Sequence, residues 1–316
     1  MIGKDIKKAA EIIKSEGIVA VPTETVYGLA ANALSKKAVS KVFAAKGRPS
    51  HNPLIIHLAD TDDLPIYCRE IPPKSRLLLE AFSPGPLTLV LPKTDFVPEM
   101  VTGGMTNVAV RIPAHPMMLE LIRECGFPLA APSANPSGFI SPTSPMHVLK
   151  GMSGKIDYIL DGGNCEAGLE STIIGFYDGI PVVLREGVIS RGEIEKLIGK
   201  VRTLSNDKIL SPGMMSSHYC PRTPLLLSEN IVDAIGKLPK MKIGLITYGG
   251  IYKGLPEDCQ ISLCQNEEFS IAARNLYAAM HELDERGYDL IIARRFPDHG
   301  IGVAINDRLF RASIKL

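Results

Sequence analysis

Short apolar runs bounded by polar, glycine- and proline-rich turns recur along the first two thirds of the chain. "GIVAV", "PLIIHLA", "LTLVLP", "VAVRIP", "FPLAAPSAN", "YILDGG", "STIIGF" and "PVVLREG" each have the length and composition of a strand. Helical periods lie around them. Ile6, Ala9, Ala10 and Ile13 share one face of a helix expected to end before Gly17. Val39, Val42 and Phe43 mark a second helix, with Ser35 as N-cap and Gly47 as stop. A third runs from about Glu193 to Ile198. Many strands and few long helices predict an α+β unit built on a mixed sheet over residues 1–202. Residues 203–238 hold no clear period and carry Pro212, Gly213, Pro221 and Pro224, which reads as an interdomain linker. Beyond it, "MKIGLITYGG" predicts a buried strand and "SIAARNLYAAMHELDERGYDLIIARRF" a helix leading into another strand. That order predicts a small α/β domain over 239–316.

Composition narrows the class. At 316 residues the chain exceeds what one core usually organises, and 45% apolar residues describe a globular protein. Its 35 basic and 34 acidic residues give a formal charge of +1, so no global footprint for nucleic acid exists, although a local basic patch stays open. The six cysteines lack any C-x-x-C pair or neighbouring His at ligand spacing, which points to reduced, mostly buried thiols and away from zinc. The first residues show no signal-peptide core and no apolar run reaches the length of a membrane span, so a cytoplasmic location is expected.

Candidate chemistry gathers at strand ends, where sites are built. "PTETVYGL" closes the first run with two threonines, Glu24 and Tyr27 ahead of Gly28. Between Glu24 and Asp60 there is no acidic residue, yet Lys36, Lys37, Lys41, Lys46, Arg48, His51 and His57 occur. The first three lysines read as a solvated helix face. Lys46 and Arg48 flank a glycine ahead of "PSHNPL", and side chains two apart on an extended segment share a face, so the pair suggests a phosphate cradle. "APSANPSGFISPT" (131–143) is either a turn made of turn-formers or a set of uncharged anion ligands. "DGGNCEAGLESTIIGF" brings Ser171 and Thr172 to a strand start, and "VVLREG" brings Arg185 to a strand end. P-loop, G-x-G-x-x-G, H-E-x-x-H and G-x-S-x-G patterns are missing, so any nucleotide site must have a cradle of its own type.

"PTETVYGL", "KGRPSHNPL", "FSPGPLTLVL", "VAVRIPAHP", "PSANPSG", "GLEST" and "LREG", followed by "SPGMMSSHYCPRTPL" and "GIGVAINDRLFRAS", resemble in that order the YrdC-like threonylcarbamoyl-AMP synthase family in its long form. The resemblance implies a YrdC-like twisted mixed sheet joined by a linker to a small Rossmann-like α/β C-terminal domain. It implies synthesis of L-threonylcarbamoyl-AMP from L-threonine, bicarbonate or CO2, and ATP, with release of pyrophosphate. The product would pass to a downstream tRNA threonylcarbamoyl transferase, with no stable direct tRNA binding and no membrane partner. Carried over by position, the catalytic cations are Lys46 and Arg48. ATP would be held by these two with Asn52, Asn107, Ser133, Asn135, Ser141, Arg185 and Tyr219, and Mg2+ would come with its phosphates, held mainly by their oxygens and water. Threonine would be gripped by Thr25, His57, Arg111, the backbone at Ala131, and Ser171. No metal ligand is assigned. "HYCPRTP" would lie over the site as a gate; Cys220 stands where relatives usually have alanine, and Asn107 where they usually have threonine. Taken without the family, His57 in "LIIHLA" reads as a satisfied core histidine, and Glu24 as either a threonine-ammonium partner or a backbone acceptor. An RNA-binding module without chemistry, or a carbamoyl-transfer relative of the same fold, are the competing classes.

Overall fold

The structure is a computed structural model that describes residues 1–203 and 218–314. Among the described residues, eleven strands form the first sheet: β1 (Ile2–Gly3), β2 (Val19–Val21), β3 (Gly28–Asn32), β4 (Ile55–His57), β5 (Leu87–Pro92), β6 (Asn107–Arg111), β7 (Leu129–Ala130), β8 (Tyr158–Leu160), β9 (Thr172–Tyr177), β10 (Ile180–Arg185) and β11 (Arg202–Thr203). Their spatial order is β1-β8-β2-β3-β7-β4-β6-β5-β9-β10-β11, with parallel and antiparallel neighbours mixed as the strand pattern predicts. Helices α1 (Ile6–Lys14), α2 (Lys36–Lys46), α3 (Leu64–Tyr67), α4 (Pro73–Phe82), α5 (Glu99–Thr102), α6 (Pro116–Cys125), α7 (Pro145–Met152) and α8 (Arg191–Ile198) accompany it.

Local chemistry explains where these elements stop. Ser35 caps α2 by accepting from Ala38 N, and Gly47 ends it in the left-handed conformation at φ 61°. That turn sends the chain from Lys46 to Arg48 toward the sheet. Lys36, Lys37 and Lys41 are exposed as expected, and Lys37 pairs with Glu16. In α1 the cap is Ser15, and Glu16, not Gly17, takes the positive φ of 61°. Its side chain accepts from Ser35 Oγ and pairs with Lys37, contacts that hold it there.

A second, four-stranded parallel sheet contains β12 (Leu225–Ser228), β13 (Ile243–Thr247), β14 (Gln260–Ser262) and β15 (Leu290–Arg294) in the order β12-β15-β13-β14. Helices α9 (Ile231–Gly236), α10 (Phe269–Glu285) and α11 (Gly302–Ala312) complete it. Its start corrects the expected linker of 203–238: residues 225–236 are β12 and α9, and β12 pairs with β15 along its whole length. "PLLL" is too short to show a period between prolines, and its partner strand lies far along the chain, so no local signal marks it. Residues 204–217, with most of "SPGMMSSHYC", lie outside the described residues.

The two units share a core. Val26, Ile140 and Leu169 of the first unit pack in one cluster with Tyr219 and with Leu276, Tyr277 and Met280 of α10. Gly168, at φ 71°, lies so close that a Cβ there would fall 2.4 Å from the Arg274 backbone, so only glycine permits this approach.

Candidate active site

Sheet register assembles the site. β4 lies between β6, parallel, and β7, antiparallel, and His57 is in register with both Arg111 and Leu129. In-register residues point to the same side of a sheet, so His57 and Arg111 emerge together at adjacent strand ends. Residues 22–27 join β2 to β3 and bring Thr23, Glu24 and Thr25 beside them. Ser171 precedes β9, and Arg185 closes β10 at a register shift.

These ends surround one cavity enclosing about 50 Å3, walled by Thr25, His57, Arg111 and Ala131 and by Arg48, Ser133, Ser171, Arg185 and Tyr219. All nine are among the residues expected to bind ligands. Arg111 donates through Nη1 to Thr25 Oγ1 (2.9 Å) and through Nε to Gly85 O (3.2 Å). Its Nη2 lies 2.7 Å from Glu24 Oε1 as an ion pair, although neither Glu24 oxygen accepts an aligned hydrogen bond among the described residues. Glu24 is thus the counter-ion of Arg111, a role outside both readings of the sequence. His57 is buried, and its Nδ1 has no hydrogen-bond partner among the described residues. Burial, with Arg111 adding repulsion, pushes the His57 imidazole down to about 3, so the ring is neutral at physiological pH.

Cations also gather across the cavity. Arg48 donates to Asn52 Oδ1 (2.6 Å), Asn52 O (3.1 Å) and Pro53 O (2.8 Å), and Arg185 donates to Ser171 O (2.9 and 3.1 Å) and Ser171 Oγ (3.1 Å). Burial lowers Arg48 to about 10, with repulsion from Arg185 in the same direction, which still leaves a guanidinium at neutral pH. Both forks are held with planar faces oriented by backbone carbonyls, the preorganisation an anion site requires.

Five expected residues are not in the cavity wall. Lys46 lies behind it, its ammonium donating to Ser133 O and Asn135 O, and burial and then Arg48 draw its pKa well below the ordinary lysine value. Asn52 braces Arg48, and Ser141 Oγ donates to Glu170 Oε1 (2.7 Å). Asn135 uses its amide on Pro136 O and Phe139 O and opens on a separate groove between the two units. Asn107 begins β6 opposite Pro92, four residues from Arg111, or about 13 Å along an extended strand. Lys46 and Asn52 thus brace the wall from behind, Ser141 binds Glu170 within it, Asn135 faces the other groove, and Asn107 lies at the far end of its strand.

Sequence reasoning missed Glu170, in the wall, and Arg308 and Tyr277, which reach Glu170 from the C-terminal unit, whereas His218 and Thr23, also in the wall, come from the quoted "HYCPRTP" and "PTETVYGL". Burial alone would push the Glu170 carboxyl up, but the Arg308 and Arg185 charges and hydrogen bonds from Arg308 and Ser141 prevail and hold it at about 2. The quoted "GLEST" and "NDRLFRAS" blocks contain Glu170 and Arg308, and each block alone gives no sign of the other.

A pocket with guanidinium groups on both sides has the chemistry of an enzyme site suited to small anionic molecules. Family models place it further: the Sua5, YciO and YrdC model, described as "Telomere recombination", matches residues 11–187, and "Threonylcarbamoyl-AMP synthase, C-terminal domain" matches residues 189–313. The chain is 43% identical to the threonylcarbamoyl-AMP synthase of Bacillus subtilis (strain 168), over 98% of this chain and 92% of that one. It is 42% identical to that of Pyrococcus abyssi (strain GE5 / Orsay), over 98% and 94%. The crystal structure of P. abyssi Sua5 complexed with L-threonine superimposes with a TM-score of 0.90 at 40% identity, covering 99% of this chain and 97% of that one. The chain belongs to the Sua5 family of threonylcarbamoyl-AMP synthases.

Proposed function

We propose that the cavity makes L-threonylcarbamoyl-AMP from L-threonine, bicarbonate or CO2, and ATP, with release of pyrophosphate. The observation that carries the reading is the pairing, in one cavity, of an Arg111 fork suited to a carboxylate with an Arg48 and Arg185 pair suited to phosphates. The complex of P. abyssi Sua5 with L-threonine supports it. The threonine ammonium loses a proton to water, the free amine attacks carbon dioxide, supplied as such or by dehydration of bicarbonate, and the adduct loses a second proton to water to give a carbamate. A carbamate oxygen attacks the α-phosphorus, a P–O bond to the β-phosphate breaks, and pyrophosphate leaves. No covalent enzyme nucleophile is required.

Arg111 takes the threonine carboxylate in exchange for part of its contact with Glu24, and Thr25, the neutral His57 ring, the Ala131 backbone and Ser171 fix the rest of the amino acid. Arg48, Arg185 and Ser133 hold phosphate oxygens, and Lys46, Asn52, Asn135 and Ser141 keep those groups in place. Catalysis of this kind is positioning and charge stabilisation. Mg2+ would come with the triphosphate, held mainly by its oxygens and water. His218 and Tyr219 stand in the pocket wall, where they can act as part of a gate that shields the labile carbamate. The product goes to a tRNA threonylcarbamoyl transferase in the cytoplasm; among the described residues no helix is long and apolar enough to cross a membrane.

The test is mass spectrometry of the purified protein with ATP, Mg2+, bicarbonate and L-threonine, beside Arg48→Ala and a reaction without bicarbonate. A bicarbonate-dependent threonylcarbamoyl-AMP peak is expected, reduced about 10- to 100-fold in the variant as one charge-assisted contact is lost. Folded, ATP-binding protein that yields neither product nor pyrophosphate would refute the reading, and a mobility shift with tRNA or turnover of carbamoyl phosphate would then identify the rival class.

A further inference from the structure

Arg308, on α11 of the C-terminal unit, is completely buried and donates from each guanidinium nitrogen: Nε to Glu170 Oε2 (2.8 Å), Nη1 to Asp307 Oδ2 (2.6 Å) and Nη2 to Glu186 O (2.8 Å). Two of these acceptors belong to the first unit, and Glu170 stands in the cavity wall. Glu170 also accepts from Tyr277 Oη on α10 (3.0 Å). The Arg308 guanidinium carbon lies 5.3 Å from the centre of the Tyr219 ring, within cation–π range. Tyr219 has a φ of 66°, a strained value for a tyrosine, and its neighbours are anchored to both units: His218 N donates to Arg311 O (3.1 Å), and Cys220 N to Gly138 O (2.8 Å).

We infer that α11 is a working part of the nucleotide half of the site, in which Arg308 is a positioning residue that neutralises Glu170 and seats Tyr219, so that Arg48 and Arg185 meet phosphate without a competing carboxylate. The inference rests on the reading that this half of the cavity takes ATP. Without Arg308, the Glu170 carboxylate stays in the wall with its compensating charge gone. The cation left to answer it there is Arg185, whose charge already acts on Glu170 and which now donates to Ser171. Drawing Arg185 toward Glu170 withdraws it from phosphate, and the bare carboxylate repels the triphosphate as well. The threonine half keeps its main anchor, because Arg111 has its own counter-ion in Glu24, and loses there only the Arg185 contact to Ser171.

Calorimetric titration of ATP·Mg2+ and, separately, of L-threonine into the unaltered chain, Arg308→Gln and Glu170→Gln/Arg308→Gln tests this. Arg308→Gln is expected to raise the ATP Kd about 10-fold or more while the threonine Kd stays within about twofold, and the double variant, which removes the stranded charge, is expected to recover ATP affinity to within about threefold. A merely structural role for Arg308 would weaken both ligands together, and that result, or an unmoved ATP Kd, would overturn the inference. Should the single variant not fold, Glu170→Gln and Glu170→Gln/Arg308→Gln decide: with the carboxylate gone, removing Arg308 should change the ATP Kd by less than about threefold, and a rise of about tenfold or more between the two overturns the inference. Failure of the unaltered chain to bind ATP would remove the underlying functional reading, whereas ATP binding there with an unmoved variant removes the inference alone.

Discussion

Lowering the pH from 7 to 5 should destabilise the protein through two histidines in the cavity wall. His57 and His218 are 2% and 6% exposed, and burial pushes each imidazole from 6.5 down to about 3. Above pH 6.5 both rings are neutral whether the chain is folded or not. Between 6.5 and about 3 the unfolded chain binds protons that the folded chain refuses, so stability falls as pH falls. From pH 7 to 5 each ring costs about 2 kcal/mol, and the pair about 4 kcal/mol. Glu170 works in a lower window: with its carboxyl held at about 2, its contribution is complete above 4.5 and fades only below it. Glu186, raised by burial, opposes the trend, and comparison with a variant removes its share. Urea unfolding of the unaltered chain and of His57→Asn/His218→Asn at both pH values is the assay. The variant should lose about 4 kcal/mol less between pH 7 and 5. An equal loss in both proteins would show that these rings take up protons freely in the folded state and would refute the reasoning.

Three further outcomes follow from geometry. Arg111→Lys keeps the charge but loses the fork, so the threonine KM should rise about 10- to 100-fold with the ATP KM nearly unchanged, measured as pyrophosphate release; an equal rise in both would refute the division of the cavity. Lys46→Met removes the donor that ties Ser133 O and Asn135 O together, and product formation should fall about 10-fold or more in a protein that still folds; full activity would show that the loop holds itself. A Cβ on Gly187 would sit 2.4 Å from Thr172 N and 2.5 Å from Ser171 C, so Gly187→Ala should cost about 1–3 kcal/mol in urea unfolding and weaken threonine binding; an unchanged midpoint would refute the close approach.

What the sequence reveals and what it hides divide along physical lines. The cap at Ser35, the stop at Gly47 and the strand ends at His57, Arg111 and Arg185 depend on neighbours in the chain, and all are legible there. The cradle is legible only in part. Lys46 and Arg48 do converge on one region, but Lys46 spends its charge on two backbone carbonyls behind the wall, because the end of α2 is packed under the Ser133 loop. Spacing predicts the convergence of the two cations and not these carbonyl partners. The meeting of Glu170 with Arg308 and Tyr277 depends on how two separately formed units dock, so it leaves no trace in either segment. For the same reason "PLLL" passes for linker, since β12 is defined by its partner β15 and not by its own four residues.

The pairing of Glu170 with Arg308 also gives the protein a timetable. The two residues are 138 positions apart, so a ribosome adding about 5–20 residues per second exposes the carboxylate roughly 7–28 s before its cation is made. The first sheet is complete by residue 203, yet until α11 arrives the Glu170 carboxylate in its cavity wall has only the weaker pull of the Arg185 charge and the Ser141 and Tyr277 hydroxyls to answer it. On the role inferred for Arg308, a chain that ends before α11 lacks the cation that answers Glu170 and should bind ATP weakly.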